Sequence, residues 1–175
     1  MVKTVLLILL AAIVLLLIVA ATKPDNFRIE RSVRIQAPPE RVHGLISDLQ
    51  QFNRWNPWQK KDPAIQGQYG PTTSGVGASY DWQSDKVGQG RMTLTEVQPP
   101  TRVAMRLEFI KPMATVSSAE FTLRPDGDGT VVNWAMFGPT PFVSKLMQVF
   151  FSMDRMVGPD FESGLADLKA LAEKA

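Results

Sequence analysis

The sequence SAEFTLRPDGDGTVVNWAMF, residues 118–137, carries the strongest β-hairpin signal in the chain. Its centre, PDGDG at 125–129, is rich in the residues that tight turns require. The segments on either side of this turn are therefore predicted to pair as antiparallel strands. On the second of them, Val132, Trp134 and Met136 share one face, because side chains alternate across a strand. That face needs an apolar partner.

Further strands extend the hairpin into an antiparallel sheet. Apolar and polar residues alternate in the segments 27–37, 78–83, 91–97 and 102–109. Short turns at regular spacing separate most of these segments, which is typical of a meandering antiparallel sheet. Arg31 falls on the apolar side of the first strand, and nothing in the sequence explains it. One face of such a sheet must be covered, so helices are expected to pack on it.

Helical patterns lie on both sides of the sheet sequence. The first begins at Pro38–Pro39, since proline is tolerated in the first turn, and its apolar face is Val42, Leu45, Ile46 and Leu49. A second pattern follows Pro141, with a stripe of Phe142, Leu146, Val149 and Phe150. The last is predicted to begin at Pro159 and to run to the C-terminus, with a stripe of Phe161, Leu165, Leu168 and Leu171. The predicted fold class is α+β.

Residues 1–23 are predicted to form a transmembrane anchor. No charged residue lies between Lys3 and Lys23. Roughly 19 helical residues span about 28 Å, close to the thickness of bilayer hydrocarbon. A helix that is apolar on every side presents no face suited to water. Residues 24–26 are then a short linker, and residues 27–175 form a single globular domain.

Two interpretations of this apolar segment stay open. In a cleaved secretory signal, Lys3 would form the charged region and residues 19–21 the cleavage site. The apolar run is longer than the roughly 7–15 residues usual for a signal, which favours an uncleaved single-pass anchor. The basic residues after the span and the lysine before it favour opposite orientations, so the side of the membrane that holds the domain is also open.

Composition excludes several classes of function. Removing Lys3 and Lys23 from the 19 basic residues leaves 17, equal to the 17 acidic residues, so no basic surface for nucleic acid is expected. The chain has no cysteine and a single histidine, His43, which is too few ligands for a metal site. No metal or other cofactor is predicted, and no feature identifies a protein partner.

Five short motifs are spread over residues 28–173. They are APPERV at 37–42, WNPW at 55–58, GVGA at 75–78, GQGRM at 88–92 and GPDFESGL at 158–165. Together they resemble the SRPBCC superfamily, which includes START-like, Bet v 1-like and polyketide cyclase/dehydrase-like proteins. The resemblance implies a helix-grip fold, in which a curved antiparallel sheet wraps around a long C-terminal helix and encloses an apolar cavity.

The resemblance also implies where a ligand binds. The concave face of the sheet is expected to lie too far from the helix for side chains to fill the space. Methionine is flexible and suits a pocket that accepts varied apolar shapes. The residues expected to bind ligand are Trp55, Trp58, Tyr80, Trp82, Met92, Met105, Phe109, Trp134, Met136, Met147 and Phe151.

Members of the superfamily bind lipids, sterols, plant hormones or polyketides, and some are cyclases or activators of chaperone ATPases. The favoured function is non-catalytic capture of a hydrophobic small molecule, such as a lipid, by a membrane-anchored domain. An enzyme of the polyketide cyclase/dehydrase type is the second hypothesis, with His43 or Glu96 as acid or base. A module that binds a protein partner is the third. A large cavity would favour the first two, and a packed interior the third.

Overall fold

The computed structural model describes residues 2–174. The strands are β1 Asn26–Ile35, β2 Gln66–Tyr69, β3 Ser79–Ser84, β4 Gly88–Gln98, β5 Arg102–Lys111, β6 Thr115–Asp126 and β7 Gly129–Pro139. The helices are α1 Val2–Ala21, α2 Pro39–Ser47, α3 Leu49–Phe52, α4 Pro57–Lys61, α5 Phe142–Phe150 and α6 Met153–Ala172. The predicted α+β class is confirmed. β1 begins one residue before the predicted domain start.

A single antiparallel sheet contains all seven of these strands, in the order β1-β7-β6-β5-β4-β3-β2. The predicted hairpin is β6 and β7, which close between Asp126 and Gly129. β2 was not predicted, because its sequence QGQY has no alternation of apolar residues. The long C-terminal helix α6 packs along β1, and α2 packs on β5, β6 and β7. The helix-grip fold is confirmed.

The core lies between α6 and the middle of the sheet. Phe161, Leu165 and Leu168 of α6 are buried, as their spacing predicts. Trp134 of β7 stacks on Phe161 with ring centroids 4.0 Å apart, and on its other side it stacks on Phe121 of β6 at 5.0 Å. Side chains therefore fill this part of the space between helix and sheet.

The start of the C-terminal helix differs from the prediction. α6 begins at Met153 and continues through Pro159, although an interior proline removes one backbone hydrogen bond. Arg31 holds both sides of this position. Its guanidinium donates two hydrogen bonds to Asp154, at 2.8 and 3.0 Å, and one to Glu162 at 2.8 Å.

Gly158 makes this contact possible, because a Cβ there would lie 2.2 Å from the Nη2 atom of Arg31. The hydrogen bonds between Arg31 and Asp154 favour the charged form of both groups. They raise the pKa of the Arg31 guanidinium and lower the pKa of the Asp154 carboxyl. Arg31 thus stands on the apolar face of β1 because it ties the sheet to α6 on both sides of the proline.

The apolar N-terminal segment forms one continuous helix, α1, whose side chains are almost all exposed. It is long and apolar enough to cross a membrane, a criterion that a signal sequence also meets. α1 packs against α5. Ala20, near the end of α1, is fully buried. The apolar segment and the globular domain are therefore in contact beyond the short link between them.

Candidate ligand-binding cavity

An apolar cavity of about 180 Å³ lies on the concave side of the sheet. Its floor is formed by inward-facing residues of β3 to β7, and its roof by α3, α4 and one residue of α6, Val157. The cavity is partly open to solvent. It lies beside the packed core around Trp134 and Phe161, toward the β3 side of the sheet. The helices α3 and α4, more than the C-terminal helix, therefore separate it from solvent.

The cavity reaches one end of the sheet. Val87, in the turn between β3 and β4, is part of its lining. Trp82, Gly90 and Phe109 lie side by side on β3, β4 and β5, close to that turn. Following the antiparallel register across the sheet, the same end holds the start of β6, the end of β7 and the start of β1. The chain enters the domain from α1 at this end.

Gly90 makes room for the tryptophan in the cavity wall. A Cβ at this position would lie 2.5 Å from Cζ2 of Trp82 and 2.5 Å from the carbonyl oxygen of Glu108. The indole of Trp82 therefore lies directly over the backbone of β4, and Phe109 packs edge-on against it at 5.9 Å. The register shift between Gln89 and Gly90 marks a β-bulge here. The GQGRM motif thus shapes the cavity.

The structure brings together eight of the eleven side chains that the sequence singled out. These are Trp58, Tyr80, Trp82, Met92, Met105, Phe109, Trp134 and Met136. They come from α4 and from four different strands, and the pleat of each strand turns them to the same side.

Three of the eleven lie elsewhere. Trp55 is fully buried in the core, where its indole Nε1 donates to the carbonyl of Leu45 at 2.9 Å. Met147 and Phe151 are exposed, since α5 packs against α1 and not over the sheet. These three side chains do not line the cavity, and ligand binding by them stays a prediction.

Half of the lining was not singled out from the sequence. The additional residues are Phe52, Asn56, Gln59, Ile65, Val87, Leu107, Ala119 and Val157. Leu107 shares the apolar face of its strand with Met105, so the alternation could have found it. Ala119 and Val87 carry no such signal, because a small side chain next to a cavity looks the same in sequence as one in a tight core.

The polar groups in the lining are few. The side-chain amide of Gln59 donates to the hydroxyl of Tyr80 at 2.7 Å, which leaves the Tyr80 proton free to bond a ligand. Burial raises the pKa of Tyr80, so the phenol stays protonated at neutral pH. The indole N–H of Trp134 is buried and has no hydrogen-bond partner among the described residues. The Trp134 N–H has no accessible surface, so the Tyr80 hydroxyl is the group available to a polar atom on an otherwise apolar molecule.

Neither candidate acid or base belongs to the cavity lining. His43 is buried on α2, with its Nδ1 3.4 Å from the hydroxyl of Ser47. Glu96 on β4 accepts a hydrogen bond from Gln98 and pairs with Arg102 at 3.5 Å. Tyr80 is the one titratable side chain among the described lining residues. In residues 2–174, no three His, Asp or Glu side chains converge as metal ligands.

His43 is expected to make stability depend on pH. Burial lowers its pKa below the ordinary value of 6.5, so the unfolded chain binds this proton more readily than the folded one. The free energy of unfolding should therefore fall as the pH drops from about 7 to about 5.5, above the range in which carboxylates titrate. Urea denaturation at several pH values measures this slope. The variant His43→Phe should flatten it, and an unchanged slope would contradict the assignment.

A family model described as "Polyketide cyclase / dehydrase and lipid transport" matches residues 26–173. The match covers both the sheet and the C-terminal helix, and leaves out α1. Among the curated proteins, no sequence matches this chain.

Solved structures share the fold at low sequence identity. CV1439 from Chromobacterium violaceum has a TM-score of 0.61 and 20% identity, and the alignment covers 87% of this chain and 100% of that one. The Aha1 dimer structure from Colwellia psychrerythraea has a TM-score of 0.57 and 16% identity, over 84% and 96% of the two chains. The di-domain ARO/CYC BexL of the BE-7585A biosynthetic pathway has a TM-score of 0.61 and 12% identity, and the alignment covers 90% of this chain and 53% of that one. At these identities the likeness supports the fold alone.

Proposed function

Because the chain belongs to the polyketide cyclase/dehydrase and lipid transport family, we propose that it binds a hydrophobic small molecule in this cavity while α1 anchors it to a membrane. The observation that carries the proposal is the partly open, apolar cavity, with Trp58, Trp82 and Trp134 in its lining. Packed protein interiors rarely leave voids larger than a water molecule. A space of this size therefore has a use other than packing.

The volume limits the ligand. An engineered apolar cavity of about 150 Å³ in another protein binds benzene. A cavity of about 180 Å³ accordingly accepts one or two rings or a segment of a single acyl chain, with the remainder of the molecule at the open side. It is smaller than the roughly 300–1,000 Å³ typical of pockets that enclose a whole drug-sized ligand. A two-chain lipid would not fit inside unless the cavity widened.

The anchor sets how the ligand reaches the site. Each CH₂ group buried from water contributes about 0.8 kcal/mol, but a molecule already dissolved in a bilayer gains little of this. Binding therefore depends on fit to the cavity and on the hydroxyl group of Tyr80. An anchored domain also stays at the surface where such molecules concentrate, which raises the effective concentration of ligand.

Catalysis by the same cavity has less support. General acid–base chemistry needs a titratable group within hydrogen-bond reach of the reacting atom. Tyr80 is the single candidate in the described lining, and its raised pKa makes it a poor base at neutral pH. Capture and presentation of a ligand thus suits the lining better than cyclisation or dehydration.

Intrinsic fluorescence tests the proposal directly, because three of the four tryptophans line the cavity. A protein of residues 24–175 contains the whole segment 26–173 that the family model matches, so it is expected to fold without α1. After delipidation, this domain should show a change in tryptophan emission that saturates as naphthalene-sized compounds or single-chain fatty acids are added. The variant Tyr80→Phe should weaken binding of ligands that carry a polar group, and should leave purely apolar ones unaffected. No saturable change across such a panel would overturn the proposal.

A further inference from the structure

The helix α5 has its apolar side outward. In a water-soluble domain, the apolar stripe of an amphipathic helix faces the core. On α5 the buried residues are instead Ser144 and Lys145, each 8% exposed. Five large apolar side chains on it and just after it are 47–69% exposed, while Leu146 and Val149 are half-buried. The five are Phe142, Val143, Met147, Phe150 and Phe151. We call these five residues the outer face of α5.

Two polar interactions hold α5 in this orientation. The ammonium group of Lys145 pairs with the carboxylate of Asp25, and this pairing lowers the pKa of Asp25. The backbone N–H of Thr140 also donates to the carbonyl of Asp25 at 2.7 Å. Asp25 lies four residues after the last residue of α1. Asp25, just after α1, therefore holds the Lys145 side of α5 against the domain. The outer face of α5 points away from the domain.

The outer face also lies at the α1 end of the sheet. α5 follows directly from β7, whose last residue, Pro139, pairs with Asn26 at the start of β1. The turn between β5 and β6 is at the same end, and three of its neighbouring side chains are exposed and apolar: Ile110, Met113 and Val116. Large exposed apolar patches on a domain mark a surface that another phase or molecule covers.

We propose that the outer face of α5 lies in the interface of the bilayer that α1 spans, with its apolar side chains at the level of the headgroups and upper acyl chains. A helix with one strongly apolar face lies in the plane of the membrane in this way. The inference rests on the proposed anchoring by α1. The contact between α5 and α1 supports a bilayer as the occupant, because the outer face continues the apolar surface of α1. A second copy or another protein would not need to be beside that helix.

Single cysteine labels test this placement, since the natural chain has no cysteine. The full-length protein is reconstituted in phosphatidylcholine vesicles with an environment-sensitive fluorophore at Met147→Cys. Spin-labelled lipids carry the quencher near the headgroup or deep in the acyl chains. The label at position 147 should be blue-shifted and quenched most strongly by the shallow spin label. Thr101→Cys, exposed in the β4–β5 turn at the opposite end of the sheet, is the matched control and should stay unquenched.

A third label separates this inference from the anchoring itself. Leu10→Cys lies at the middle of α1 and should be quenched most by the deep spin label. If position 10 is quenched and position 147 is not, α1 spans the membrane but the outer face of α5 lies elsewhere, and the inference is overturned. A blue shift at position 147 without lipid quenching would assign the face to a contact with a second copy of the chain and would also overturn it. Ligand binding, read from tryptophan emission, is independent of all three labels.

Discussion

Replacing Ala119 with phenylalanine is expected to weaken ligand binding by about tenfold or more, which corresponds to about 1.4 kcal/mol. Ala119 is buried on β6, opposite Met105 on one neighbouring strand and Met136 on the other. All three side chains line the cavity, so an added ring would occupy the space that the ligand needs. Tryptophan emission during titration of the delipidated domain measures the effect.

The same substitution should leave stability within about 1 kcal/mol of the natural protein, because filling a void offsets the strain of a larger side chain. Ala104→Phe is the matched control, since Ala104 lies on β5 opposite Glu120, on the face of the sheet that points away from the cavity. It should bind ligand normally. Equal losses of affinity in the two variants would show that the ligand binds outside the cavity.

Replacing Trp134 with alanine is expected to lower the free energy of unfolding by about 3–5 kcal/mol. Its ring is sandwiched between Phe121 and Phe161, with Trp55 and Trp58 packed edge-on at 5.7 and 5.9 Å. The loss is a large fraction of the roughly 5–15 kcal/mol that stabilises a typical domain. Urea denaturation, followed by far-UV circular dichroism, measures it.

Trp82→Ala provides the comparison. Trp82 is half-buried at the cavity wall, with Phe109 as its aromatic partner, so the same change should cost less than half as much. Trp82→Ala should change the free energy of ligand binding more than the free energy of unfolding. If the two variants were equally destabilised, the stack around Trp134 would not be the centre of the core.

The strand faces and the fold class were predictable because the sheet has one buried and one wetted side. The alternation of apolar and polar residues then identifies the inward-facing side chains, such as Trp134 and Met136. The hairpin at PDGDG was predictable for a similar local reason, since few conformations accept that turn. In both cases the signal lies in residues that are close together in the chain.

The predicted start of the C-terminal helix was wrong for a different reason. Pro159 is a local signal for a helix start, but Arg31, far away on β1, holds the helix together on both sides of it. The sequence shows that α5 is rich in apolar residues but not what they contact, so it gave no sign that Met147 and Phe151 lie outside the cavity lining. Periodicity shows which residues share a face of a helix or strand. It does not show whether that face contacts the core, solvent or another molecule.

The contacts of Asp25 have a consequence for how far the domain travels. Its side chain pairs with Lys145, and its backbone carbonyl accepts a hydrogen bond from the N–H of Thr140. These contacts make the few residues after α1 an ordered connection and not a flexible linker. Under the proposed anchoring by α1, a domain mounted in this way keeps a set height and tilt above its own leaflet. Such a domain does not carry the proposed ligand across a gap between membranes. The acceptor of that ligand then comes to the domain or lies in the same leaflet.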